Sequence, residues 1–210
     1  MRCFRRKTGE AMPKQVDHQQ RRAQIADAVC SLVSARGLEA VSLRDVAAEA
    51  GISMGRVQHY FRTKDEMLLF ALEHVAKREV AKTLERLEQA PEPSSPRAIV
   101  HTVLGGLLEE GPRPVEAQRV NVAFTARAVV EPSLAAFLLR GYTDLQELLE
   151  QAVSQGIDEG TVAEGTDPRW AATEVFALTD GLRVQALLGH MTRDRALAVL
   201  DAHLERLFNG

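Results

Sequence analysis

An all-α fold of about nine helices is what composition, periodicity and punctuation predict for this chain. Ala and Leu abound, runs of Val, Ile, Thr and Tyr are almost absent, and aromatic residues make up only 5% of the total, so intrinsic preference favours helix over strand. Apolar residues recur at three- and four-residue spacing along the long segments. The breaks between those segments carry Gly, Pro or a capping Ser, Thr or Asp. With 210 residues, 45% of them apolar, the chain can fill the cores of one ordinary domain and a small one.

Taken in order, residues 1–17 are rich in Arg and Lys and lack periodicity, which predicts a disordered basic arm. Met12 within it offers an alternative start. Helix one runs from Gln19 to Arg36, with Ile25, Ala28, Val29, Leu32 and Val33 on one face and Gly37 as its C-cap. Ser42 caps a second helix over Leu43–Ala50, with Asp45 three residues on as the acid of a capping box. Ser53 caps a third through Tyr60, and "RTKDEM" opens a fourth with Asp65 and Glu66 in its first turn. "PEPSSP" at 91–96 is a break that no helix crosses. Further helices are expected at about 97–110, 114–129, 133–157, 168–189 and 193–208. The predicted organisation is the arm (1–17), a small helical domain (18–64) and a larger one (65–210).

Charge divides the same way. Residues 1–64 carry 12 Lys and Arg against 6 Asp and Glu, whereas residues 65–210 carry 14 against 23, within a net −3. A basic first third on an acidic remainder suits a polyanion-binding module carried by a body that stays off the polyanion. The longest apolar stretch, Ala98–Leu108, is far shorter than the ~20 residues of a membrane span, and no apolar run follows the basic start as a signal peptide requires. A cytoplasmic protein with no membrane partner is expected. Cys3 and Cys30 form neither a disulfide framework nor a metal-ligand spacing, and no glycine-rich phosphate loop occurs, so no metal or cofactor is expected.

Two short helices joined by a tight turn have the spacing of a helix-turn-helix. Gly51 suits the positive backbone angle of the turn, Ala47 is small enough for close approach, and Val46, Ala50, Ile52 and Val57 supply the inward surface. Left outside are Ser53, Met54, Arg56, Gln58 and His59, with Arg44 and Lys64 beside them, and none is acidic. Hydroxyls and cations suit phosphates, and Arg and Gln make paired hydrogen bonds to guanine and adenine edges. A catalytic Ser53–His59 pair is the rival reading. Six residues apart on a short helix, the two lie on roughly opposite sides.

"VSLRDVAAEAGISMGRVQHYFRTKDEML", with helix one before it, resembles the DNA-binding domain of TetR-family transcriptional regulators, and "DGLRVQALLG" with "RALAVLDAHLERLF" resembles the BetI-like branch. The resemblance implies DNA contacts from Ser42, Arg44, Ser53, Met54, Gly55, Arg56, Gln58 and His59, with phosphates held by Tyr60 and Lys64 and Phe61 locking helix three to the core. Gln58 and Met54 stand where that family often has Tyr and Lys. It further implies a small-molecule effector of unknown identity among helices four to eight, for which Phe124, Arg127 and Trp170 are the lining candidates. Such heads work as symmetric dimers on palindromic double-stranded DNA, their half-sites roughly 34–36 Å apart or more. The expected dimer stripes are Ala171, Val175, Leu178, Leu182 and Gln185 on one helix and Leu197, Leu200, Leu204 and Leu207 on the next; the same stripes equally suit the subunit's own core. The expected activity is that of a ligand-released repressor, not an enzyme. An activator or DNA-organising protein without effector is the first alternative, and a ligand-binding enzyme with a vestigial head the second.

Overall fold

The computed structural model describes residues 13–92, 94–109 and 112–209. Among them the helices are α1 (Pro13–Arg36), α2 (Leu43–Glu49), α3 (Met54–Tyr60), α4 (Lys64–Gln89), α5 (Pro96–Gly106), α6 (Pro112–Ala128), α7 (Pro132–Asp158), α8 (Pro168–Leu187) and α9 (Arg193–Phe208), with no strand. The all-α expectation holds. α1 starts at Pro13, six residues before the expected start at Gln19; proline's fixed φ is pre-set for a first helical turn. Residues 1–12, including Cys3, lie outside the described residues. α5 stops at Gly106 rather than near 110, since Gly105 and Gly106 are poor helix formers and the chain turns through Leu107 and Leu108.

Caps explain where the other helices begin. Thr63, Asp167 and Thr192 accept backbone N–H groups at the starts of α4, α8 and α9, each worth about 1 kcal/mol. Pro96, Pro132 and Pro168 occupy first-turn positions, where a missing N–H costs nothing.

Two cores result, and they do not divide the chain at residue 64. The first joins α1–α3 to the N-terminal half of α4 (Met67, Leu68, Ala71, Leu72, Val75), to α6 (Val120, Phe124, Ala128) and to the start of α7 (Leu134, Leu138). The second gathers α5 (Val100, Leu104), the end of α7 (Leu149, Ala152, Val153), α8 (Ala171, Ala172, Val175, Leu182) and α9 (Ala196, Leu200, Leu204, Phe208). α7 serves both, and between its two buried ends no residue from 139 to 148 is fully buried. At its far end Gly156 is required by space: a Cβ there would meet Val162 at 2.8 Å and Phe208 at 3.1 Å.

Cys30 is buried in the first core, and burial pushes its thiol up to about 12, which keeps it protonated and inert. No described helix is long and apolar enough to cross a membrane.

Candidate nucleic-acid interface

The turn between α2 and α3 is held from three sides. Gly51 takes φ +65°, the left-handed angle that a side chain resists, and the Ile52 N–H donates to the Ala47 carbonyl at 3.0 Å. Gln24 of α1 donates its amide to the Ala50 carbonyl at 2.8 Å, and Ser31 donates to Glu49 at 2.8 Å. Val46, Ala47, Ala50 and Val57 are buried as expected, and Ile52 packs partly buried against them.

Phe61 is fully buried behind α3, as the resemblance implies. The Arg22 guanidinium covers it at 4.6 Å from its ring centroid and lies 4.3 Å from that of Phe70. Such stacking adds roughly 0.5–2 kcal/mol and ties α1 to α4 across the back of α3. Asp27 of α1 adds a hydrogen-bond contact with His74 (3.1 Å) and an ion pair with Arg78 (2.8 Å) of α4.

What this frame presents is nearly the set expected from sequence. Ser53, Met54, Gly55, Arg56, Gln58 and His59 are all exposed, Met54 at 48%. A Cβ on Gly55 would meet nothing within 4 Å, so no neighbour in the protomer demands a glycine; its effect is a flush surface at the start of α3. Arg44 is exposed one residue inside α2, and Lys64 is half-buried at the start of α4.

The two serines differ. Ser53 accepts the Arg56 N–H at 3.3 Å and keeps its hydroxyl proton for an outside acceptor. Ser42 accepts the Asp45 N–H at 3.2 Å and donates both its hydroxyl and its backbone N–H to the Asp45 carboxylate. Those bonds hold Asp45 below the usual carboxylate range, the side-chain bond contributing most. Ser42 is thus a closed capping box with its donors already used.

Tyr60 is half-buried, its ring packed against His59 (5.3 Å) and against His18 of α1 (4.8 Å). His18 is a polar group at this face that sequence reading missed, because it lies before the first periodic residue of α1. Arg62 is also exposed here, just before the Thr63 cap of α4.

The effector and dimer candidates fare differently. Phe124 is fully buried in the first core. Arg127 points outward and pairs with Glu39 (3.3 Å) and Glu131 (3.9 Å), joining α6 to the loop after α1. Trp170 is 68% exposed at the start of α8. The three therefore do not form one lining; spacing shows that a residue lies on a face, not which neighbour the face meets. Val175, Leu182, Leu200 and Leu204 are buried in the second core, with Leu178 and Leu197 packed against it, so these stripes fill the subunit rather than present a surface. Gln185 of the expected α8 stripe is exposed instead, and the other open positions are Ala177 and Gly181 on α8, Leu188 just past its end, and Ala198, Val199 and Ala202 on α9.

Comparison with known proteins agrees with this geometry. Residues 25–71 match the family described as bacterial regulatory proteins, tetR family, and residues 96–209 match BetI-type transcriptional repressor, C-terminal. The chain is 32% identical over 209 residues to the HTH-type transcriptional regulator PksA of Bacillus subtilis (strain 168), covering 93% of this chain and 94% of PksA. A TetR-family regulator structure from Rhodococcus sp. superposes with a TM-score of 0.82 at 25% identity, over 90% of this chain and 100% of that one. The multidrug binding protein EbrR, solved complexed with imidazole, superposes with a TM-score of 0.63 at 27% identity, over 93% and 95% of the two chains. With regulators rather than enzymes matching along nearly its whole length, the chain belongs to the TetR family of DNA-binding transcriptional regulators.

Proposed function

We propose that the chain is a homodimeric repressor: two copies grip a palindromic operator, and a small molecule bound among the C-terminal helices releases it. The observation that carries this reading is the exposed, acid-free face of α3, set on a turn that three hydrogen bonds from α1 and α2 brace. Arg56 and Gln58 are its base-reading groups, Arg44 reaches from α2, and Ser53, Tyr60 and Lys64 hold phosphates. Met54, Gly55 and His59 shape the contact; Ser42 serves it by capping α2.

One such helix reads few base pairs, so a second copy is needed. The open faces of α8 and α9, with Ala177, Gly181, Ala198 and Ala202 allowing close approach and Leu188 at 78% exposure, support pairing through a four-helix arrangement. The BetI-type match over residues 96–209 supports repression, and the imidazole complex of EbrR supports a small effector.

Fluorescence anisotropy with a labelled duplex from the chain's own upstream region tests the reading. Selective binding that weakens steeply with salt is expected, and Arg44→Ala or Gln58→Ala should each cost roughly 1–3 kcal/mol, a loss of about fivefold to a hundredfold. Equal affinity for an unrelated duplex, or no loss in either variant, rejects the assigned reading head. Sedimentation of the free protein as a monomer at micromolar concentration rejects the dimer.

A further inference from the structure

Between the two cores lies a polar seam made by α6, α7 and α8, and Arg183 is its deepest charged group, 5% exposed. Its Nη1 donates to Asn121 Oδ1 of α6 at 2.8 Å. Its Nη2 donates to a single oxygen of Asp180, a carboxylate whose side chain is 40% exposed. Its Nε is buried and has no hydrogen-bond partner among the described residues. The Nε–Nη2 edge of a guanidinium is a two-pronged fork that matches both oxygens of a carboxylate, and here one prong is used. A buried donor without a partner is destabilising, so the seam retains Arg183 against its own stability.

Next to this fork is an aromatic pair. Tyr142 of α7 and Phe176 of α8 meet edge to face at 5.5 Å, and the Tyr142 hydroxyl lies 3.4 Å from Thr125 of α6. Asn121 and Thr125 are one turn apart on α6, and Phe176, Asp180 and Arg183 follow one face of α8. Asp180, to which the guanidinium donates, stands one turn beyond Phe176 on α8, so the fork and the aromatic pair share one face of that helix.

We propose that this seam is the effector site and that its ligand is an aryl carboxylate. The inference rests on the reading of the chain as an effector-released regulator. The ligand's carboxylate takes both prongs of the Arg183 fork in place of the single Asp180 oxygen, and its ring enters between Tyr142 and Phe176. Asp180, part-exposed, swings to water. The consequence reaches the DNA through α6, which carries Asn121 at the seam, packs along α1 and ends in the Arg127–Glu39 pair beside the reading head.

Isothermal calorimetry of the full chain with 3-phenylpropionate at pH 7.5, against 3-phenylpropionamide, tests the site. The acid is expected to bind and the amide to bind at least roughly tenfold more weakly, because the neutral group forfeits a charge-assisted fork. Arg183→Lys keeps the charge but cannot span two oxygens, and should lose most of the affinity. Asp180→Asn removes the competing carboxylate and should tighten binding, an effect that a merely structural Arg183–Asp180 pair would not produce. Thermal melts of each variant identify any that fails to fold, and the remaining variant then decides. Failure of the acid to bind wild type at millimolar concentration, equal binding of the amide, or unchanged affinity in folded Arg183→Lys overturns the proposal. Anisotropy with promoter DNA on the same samples separates the two readings. Wild type that binds its promoter but ignores the acid sinks the ligand class and leaves the regulator standing. Wild type that binds the acid through Arg183 but no DNA supports the site and sinks the regulator.

Discussion

The two cores of this chain are built from the same kinds of residue but constrain different things. The first holds the reading head, yet nearly half of it comes from α4, α6 and α7, and Phe61 and Phe124 are its large, fully buried anchors. The second belongs to α5, α7, α8 and α9, is filled by Leu and Val with Phe208 at its edge, and has no member from α1–α4. The head is thus no bead on a linker. Its orientation is set by packing against α4, α6 and α7, so a shift of α6 or α7 moves it directly, while the second core shares only α7 with it.

Large-to-small substitutions break this comparison most strongly. Phe124→Ala should cost about 3–5 kcal/mol and Leu200→Ala about 2–5 kcal/mol in urea unfolding. Below the transition, Phe124→Ala is also expected to weaken operator binding, as it loosens the head from α6, whereas Leu200→Ala should spare DNA affinity per dimer. Equal DNA losses in the two variants would show that the cores are not separate in effect.

Glycines give the next largest effects, for two different reasons. Gly156→Ala inserts a methyl where Val162 and Phe208 already stand, and overpacking of that kind costs about 1–3 kcal/mol. Gly51→Ala meets no atom but must hold φ +65°, a backbone cost of about 1–2 kcal/mol in the head alone. Differential hydrogen exchange should place the first loss near the second core and the second at the α2–α3 turn.

A charged residue on the open face sharpens the comparison without touching either core. Gly181→Arg has free space around its Cβ, so the protomer should keep its melting temperature at low concentration, while sedimentation shifts from dimer to monomer. A dimer that survives this change pairs through another face.

The smallest expected effect is a pH response of α9. Partial burial, then the positive charge of Arg206, hold His203 below its ordinary value of 6.5, against an opposing pull from Glu174. The unfolded chain takes up that proton first as the solution is acidified, so the stability tied to His203 is fully present above pH 6.5 and falls as pH drops from there toward the folded value. The same urea midpoint drop on acidification in His203→Gln as in wild type would remove His203 as its source.

Much of the fold was legible because it rests on local rules. The caps Ser42 and Ser53, the turn at Gly51, the proline starts and the period of apolar residues act within a few positions of the chain, and they place α2, α3, α8 and α9 to within about two residues of where they stand. The head's fillers and its exposed face were legible for the same reason, since a two-helix unit with a fixed turn leaves one way to divide buried from presented. Ser42 was legible in the same way as the cap of α2, and Asp45 closes the box with it.

What sequence alone could not decide is which surface each long amphipathic helix meets. Val175, Leu182, Leu200 and Leu204 read equally as core or interface, and only packing sent them inward and left Ala177, Gly181 and Leu188 outside. Phe124 and Trp170 are both large aromatics on helices, yet one closes the first core and the other stands in solvent. Arg183 reads in sequence as a cation within an apolar stretch, and its burial beside Asn121, 62 positions away in the chain, comes only from the packing of α6 on α8. Periodicity determined that each helix has an inside, and tertiary structure chose its neighbour, because apolar burial is non-directional and is settled by which faces fit together over the whole molecule.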